Sequence, residues 1–98
     1  MNFAEHQRTD RRLVILRCLE GAVQYRAPSP LIGRFLDQFG HTVSTDVLTA
    51  DLAWLREQGL PEAVETGGIT VATLTARGLD VAQGRATVPG VARPVPGL

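Results

Sequence analysis

Four hydroxyl side chains lie around the predicted start of one helix, where they could donate hydrogen bonds to phosphate oxygens. They are Thr42, Ser44, Thr45 and Thr49. A helix N-terminus also presents free backbone amides and a partial positive charge, both of which favour an anion. Arg26, Arg34 and Arg56 are expected to flank this helix and to add contacts to the phosphates of duplex DNA. Each residue also has an ordinary structural explanation, because hydroxyls cap helices and arginines pair with acids such as Asp37 and Glu57.

The outward face of the same helix suggests a different kind of partner. Its stripe consists of Asp46, Ala50, Ala53 and Glu57. Small residues allow a second helix to approach closely, so this stripe could dock on another protein. No basic residue occurs between Arg56 and Arg77, whereas Glu62 and Glu65 lie in the predicted hairpin. Because acidic groups repel phosphates, any affinity for DNA is expected to be weak and steeply salt-dependent.

The composition argues against several other classes of protein. The chain has 98 residues, a formal net charge of zero, ten arginines and no lysine, which indicates one domain with little non-specific attraction to nucleic acid. Cys18, His6 and His41 are far apart in the sequence, so we expect no metal site, and His41 is expected to be a solvated turn residue. No nucleophile–base motif or phosphate-binding glycine loop is present, so we predict no enzyme and no cofactor. Without a long apolar run or a signal peptide, we expect a cytoplasmic protein that does not enter a membrane.

Three helices are predicted in the first 60 residues. Helix one starts between Glu5 and Asp10 and is closed by Gly21, with Cys18 on its buried face. A connector over residues 22–28 leads to helix two at 30–39, for which Ser29 is the expected cap. The apolar residues that recur at helical spacing along helix two are Leu31, Ile32, Phe35, Leu36 and Phe39, and they define its expected buried face. Helix three follows the cap at Ser44 and buries Leu48, Leu52 and Leu55, which recur at helical spacing.

A hairpin and a short helix complete the predicted fold. Residues 62–66 and 69–74 are β-branched segments joined by Gly67-Gly68, a pair that suits a tight primed turn. Thr75 caps a last helix over residues 76–83. Residues 85–98 are rich in proline and glycine, so they are expected to be extended and loosely held. The prediction is a mainly α winged helix-turn-helix domain over residues 1–84, with a three-helix core, a two-stranded wing and a short exit helix, followed by an extended tail over residues 85–98.

Two segments carry a resemblance to a known family. The run that begins Asp51-Leu-Ala-Trp-Leu and the run Gly84-Arg-Ala-Thr-Val-Pro-Gly-Val are similar to those of small winged-helix proteins of Mu-like phages and prophages, often described as regulators like the ArsR group. The resemblance extends from about Arg12 to Pro94. It implies a phage or prophage origin and a DNA-binding role, although a role inferred from fold alone is an argument by analogy.

These observations leave two functional hypotheses. The first is a DNA-binding, regulator-like phage factor, and the alternative is a winged-helix module that binds another phage protein during assembly or DNA packaging. Both hypotheses allow a homodimer formed through helix one and the tail. The apolar residues expected at that interface are Phe3, Val88, Val91, Val95 and Leu98.

Overall fold

The computed structural model describes residues 2–95. In chain order its elements are α1 (Phe3–Glu20), β1 (Arg26–Pro28), α2 (Ser29–Gln38), α3 (Thr45–Glu57), β2 (Pro61–Thr66), β3 (Ile69–Leu74) and α4 (Ala76–Ala82). A single 3₁₀ turn over Val23–Tyr25 connects α1 to β1. The predicted winged helix-turn-helix is confirmed, with the β2–β3 hairpin as the wing. Within residues 2–95 no helix is both long enough and apolar enough to cross a bilayer.

Helix α1 is the central element of the core. The Asn2 side chain accepts a hydrogen bond from the backbone N–H of Glu5 (2.9 Å), so the helix begins earlier than the predicted start between Glu5 and Asp10. Asparagine is a strong N-cap, and the sequence did not point to it because residues 5–12 are all polar and show no apolar periodicity. The buried side chains of α1 are Leu13, Val14, Ile15, Leu16, Cys18 and Leu19.

Helix α2 agrees with the prediction in position but not in burial. It starts one residue early because Pro28, and not Ser29, holds the N-cap position. Ile32 and Leu36 are fully buried, whereas Leu31 and Phe39 are 50% and 58% exposed. The prediction that Leu31 and Phe39 lie in the core is therefore wrong, because α2 is covered along a narrower stripe than its apolar residues occupy.

Helix α3 confirms the predicted cap and the predicted buried stripe. The Ser44 hydroxyl oxygen accepts a hydrogen bond from the backbone N–H of Val47 (3.2 Å). Leu48, Leu52 and Leu55 are buried in one cluster with the core residues of α1 and α2. This packing fixes which face of α3 points outward.

The sheet has three antiparallel strands in the order β1-β3-β2. Strand β1 was missed, because a three-residue edge strand that ends in proline looks like a connector in sequence. It is held by pairing with β3, in which Ala27 lies opposite Ala72, and both side chains are buried. At the tip of the wing Gly67 and Gly68 have φ values of 58° and 81°, the positive pair that a primed turn requires.

Residues 85–95 have no helix or strand, as predicted, but they pack onto the domain. Val88 and Val91 are 4% and 7% exposed, and the backbone N–H of Ala92 donates to the carbonyl of Thr9 (3.1 Å). The prediction of a loosely held tail is therefore wrong for this segment. Val88 and Val91 lie in the core and are not available to a dimer interface, and Leu98 lies outside the described residues.

Candidate nucleic-acid interface

The outward side of α3 and one face of the wing form a cleft of about 160 Å³, which we call the α3–wing cleft. Its lining residues are Thr49, Leu52, Ala53, Arg56, Ala63, Glu65 and Thr70. The register explains this set, because Glu65 pairs with Thr70 and therefore lies on the same face of the hairpin. In helix-turn-helix proteins this helix enters the major groove of DNA, so this cleft is the candidate nucleic-acid interface.

The four predicted hydroxyl residues are all positioned at the accessible start of α3. Thr42, Ser44, Thr45 and Thr49 are exposed. Ser44 caps the helix, and its O–H remains free to donate. Among the described residues the other three make no side-chain hydrogen bond, so their hydroxyls are available to a ligand.

The three predicted arginines do not converge on this cleft. Arg56 lines it, and Arg34 instead lines a separate cleft of about 350 Å³ between the end of α1, β1 and α2. Arg26 lies opposite Thr73 on the sheet face that points away from α3, and its guanidinium is 3.4 Å from the Gln24 side-chain oxygen. Within residues 2–95 neither Arg34 nor Arg56 forms an ion pair, so the alternative pairing with Asp37 or Glu57 is not formed.

The surface around the α3–wing cleft is acidic. Asp46 and Glu57 are exposed on α3, and Glu65 is exposed on β2 in the cleft lining, whereas Glu62 lies on the opposite face of the sheet. Arg56 lines the cleft, and Arg77 lies at the end of α3, where its Nε donates to the backbone carbonyl of Gln58 (3.2 Å). The predicted interaction stripe is also accessible, because Ala50 and Ala53 are exposed between Asp46 and Glu57.

Sequence reasoning missed a buried ionic cluster on the opposite side of α3. Asp51 is 4% exposed and bonds the guanidinium groups of both Arg11 and Arg12. The Arg12 guanidinium lies 3.9 Å from the centre of the Trp54 ring and donates to the carbonyl of Gly90 (3.2 Å). Burial lowers the pKa of Arg12, and the charge of Asp51 opposes this shift. Two of the α1 arginines are therefore held by α3 and are not free to meet phosphates.

His41 is also part of the structure and not a solvated turn residue, so that expectation is wrong. Its ring is 9% exposed, and Nε2 lies 2.6 Å from a carboxylate oxygen of Asp10. The turn between α2 and α3 packs against α1, which removes this histidine from the surface.

The described residues contain no group of three side chains that could hold a metal ion. Cys18 is buried in the α1 core, and its burial raises the pKa of the thiol to about 11.

The chain is similar to two proteins of known origin, although no protein-family model matches it. It is 48% identical to the protein gp26 of Escherichia phage Mu over 87 residues, which cover 89% of this chain and 90% of gp26. It is 41% identical to a protein of Haemophilus influenzae over 80 residues, which cover 81% of this chain and 78% of that protein.

A solved structure shares the fold. The chain superposes on RosR, an archaeal winged-helix regulator solved as a complex, with a TM-score of 0.65 and 24% sequence identity. The match covers 80% of this chain and 69% of the RosR chain. At this level of identity the likeness shows a common fold and nothing about ligands.

Proposed function

We propose that this chain, which belongs to the family of the phage Mu protein gp26, is a regulator-like phage factor that binds duplex DNA weakly through α3 and its wing. The observation that carries the proposal is the exposed N-terminal half of α3. Its hydroxyls are free, and Thr49 together with Arg56 from the last turn lines the cleft beside the wing, on the helix that this fold uses to enter a major groove.

The geometry favours contacts by hydrogen bonds over contacts by charge. Thr45 and Thr49 lie on the first two turns of α3, where backbone amides and hydroxyls can donate to one phosphate. Arg56 adds one ionic contact from the other end of the cleft. The acidic residues around the cleft limit the strength of binding.

A salt-titrated anisotropy assay on a mixed-sequence duplex tests the proposal. Arg56→Ala should weaken binding about fivefold to tenfold at low salt, since one charge-assisted contact to a phosphate is lost. Arg34→Ala is the matched control, because Arg34 lines a different cleft and its removal should leave the affinity unchanged. The double variant Asp46→Arg/Glu57→Arg should strengthen binding, because two repulsive charges become attractive. If the intact chain binds no duplex at low salt, the proposal is wrong.

The alternative of a protein-interaction module is favoured by one specific observation. Ala50 and Ala53 form an exposed, nearly flat stripe on α3, and the flanking Asp46 and Glu57 suit a basic partner better than a phosphate backbone. In that case Ala50→Arg should disrupt a complex with another phage protein that acts in phage assembly or DNA packaging. This second function is supported if the intact chain binds no duplex DNA and the Ala50→Arg variant no longer forms the protein complex.

A further inference from the structure

The sheet has a second face, turned away from the helices, that no described element covers. Alternation along the strands assigns its side chains, and we call this surface the outer sheet face. It consists of Arg26, Pro28, Glu62, Val64, Thr66, Ile69, Val71 and Thr73. All eight are exposed or half-buried, whereas Ala27 and Ala72 on the inner face are fully buried.

The centre of the outer sheet face is apolar. The register aligns Pro28, Val71 and Val64 in one row across the three strands. Ile69 lies next to this row along β3, and Val64 and Ile69 are 64% and 42% exposed. Exposed aliphatic side chains on three adjacent strands form a contiguous patch, which in many proteins marks a contact with another molecule.

The neighbouring row gives this patch a charge pattern. In the register Arg26 lies opposite Thr73, and Thr73 lies opposite Glu62. The row therefore carries a positive group on one edge strand and a negative group on the other, roughly 10 Å apart at the usual strand spacing. Among the described residues Arg26 and Glu62 form no ion pair.

We propose that the outer sheet face is the interface of a homodimer, in which two copies pack their sheets face to face about a twofold axis parallel to β3. This axis places each β1 over the partner's β2, because it reverses the order of strands without reversing their direction. Arg26 of each copy then faces Glu62 of the other. At the axis, Val71 of one copy packs against Val71 of the other. The same rotation therefore buries the apolar row and pairs the opposite charges of the neighbouring row.

A second copy is the occupant because the face is complementary to itself. A partner surface of only one sign of charge would pair with either Arg26 or Glu62 and would repel the other. The alternative dimer surface of helix one and the tail is weakened by the burial of Val88 and Val91 in the core. The contact is limited to three short strands, so the dimer should be a weak one that forms at high protein concentration.

Charge reversal tests the arrangement in the whole chain by sedimentation equilibrium. Arg26→Glu alone and Glu62→Arg alone should each weaken dimerisation about tenfold, because the twofold axis turns two attractive pairs into two repulsive ones. The double variant Arg26→Glu/Glu62→Arg restores both pairs with opposite polarity and should recover the original dimer. Circular dichroism of each variant shows whether the fold is retained.

A second measurement locates the contact directly. With a short bis-maleimide, Val71→Cys should cross-link two chains because residue 71 lies at the axis. Thr49→Cys, on the opposite face of the molecule, is the matched control and should not cross-link. Any one of three results overturns the proposal. The intact chain could stay monomeric at high concentration, the single charge reversals could leave dimerisation unchanged, or the double variant could fail to recover the dimer. DNA binding by α3 uses the other face, so either proposal can fail without the other.

Discussion

At the scale of single residues, Asp51 shows why a helix face cannot be assigned from apolar periodicity alone. It lies three residues after Leu48 and four before Leu55, within the buried stripe of α3. A carboxylate at that position must find partners, since an unpaired buried charge is strongly unfavourable. Arg11 and Arg12 supply them from α1. The signal present in the sequence was an acid within the leucine stripe of α3, together with the Arg11-Arg12 pair of α1, which lies 39 and 40 residues earlier.

Asp51→Asn should lower the free energy of unfolding by about 2–3 kcal/mol. This value is somewhat below the usual range for breaking a buried ion pair, because the two guanidinium groups keep some exposure. Urea unfolding measures the change. Glu57→Gln on the same helix is the control and should change stability by less than about 0.5 kcal/mol, since Glu57 is exposed. Equal midpoints for Asp51→Asn and the parent chain would show that the cluster contributes nothing.

At the scale of elements, local signals predicted those parts of the fold that local chemistry determines. The Ser44 cap, the leucine stripe of α3 and the Gly67-Gly68 turn each have a residue-level cause, and each is present in the structure. Strand β1 and the docking of residues 85–95 depend on partners distant in sequence. Their own residues do not favour them, so they could not be predicted. The candidate site shows the same contrast between local and long-range structure. The position of α3 was predicted correctly, whereas the placement of Arg26, Arg34 and Arg56 on different surfaces depends on tertiary packing and was not predicted.

Two glycines in helices should respond oppositely to the same substitution. A Cβ on Gly78 in α4 would lie 2.0 Å from the backbone carbonyl oxygen of Leu60, whereas a Cβ on Gly33 in α2 would meet only a Leu48 methyl group at 3.7 Å. Gly78→Ala should therefore destabilise the protein by about 3 kcal/mol or more through overpacking against the backbone. Gly33→Ala should stabilise it by about 0.5–1 kcal/mol through helix propensity. Thermal or urea unfolding of both variants checks the signs, and a stabilising Gly78→Ala would contradict the close approach of α4 to the start of β2.

The packed tail leads to a third stability prediction. A chain that ends at Arg85 loses Val88 and Val91 from the core and leaves the Trp54 ring and Arg12 without Gly90. Its free energy of unfolding should fall by about 3 kcal/mol, the contribution expected from burying two valines. A chain that ends at Val95 keeps these contacts and should be more stable than the chain that ends at Arg85. If both truncated chains have the same stability, residues 86–95 are only loosely associated with the domain.

At the scale of the whole molecule, a net charge of zero conceals an uneven surface. The α3–wing side carries Asp46, Glu57 and Glu65. The arginines that outnumber acids in the first third of the sequence lie in α1, β1 and α2, and two of them are bound to Asp51. Helix α3, which corresponds to the recognition helix of winged-helix proteins, therefore lies on the acidic side of the molecule. Electrostatic attraction would contribute little to any DNA affinity on that side.

This distribution predicts how DNA affinity varies with salt, and it favours a shallower dependence than the sequence alone suggests. The slope of the logarithm of the affinity against that of the salt concentration is about −0.9 per phosphate neutralised. Arg56 lines the α3–wing cleft and Arg77 lies at the end of α3, so two phosphate contacts by these residues give a slope of about −2. Fluorescence anisotropy from about 20 to 200 mM salt gives this slope. Since the hydroxyls and amides of α3 are uncharged donors, their contacts would persist across that range. A slope steeper than about −4 would require more phosphate contacts than Arg56 and Arg77 can make, and would move the interface to the arginines of α1, β1 and α2.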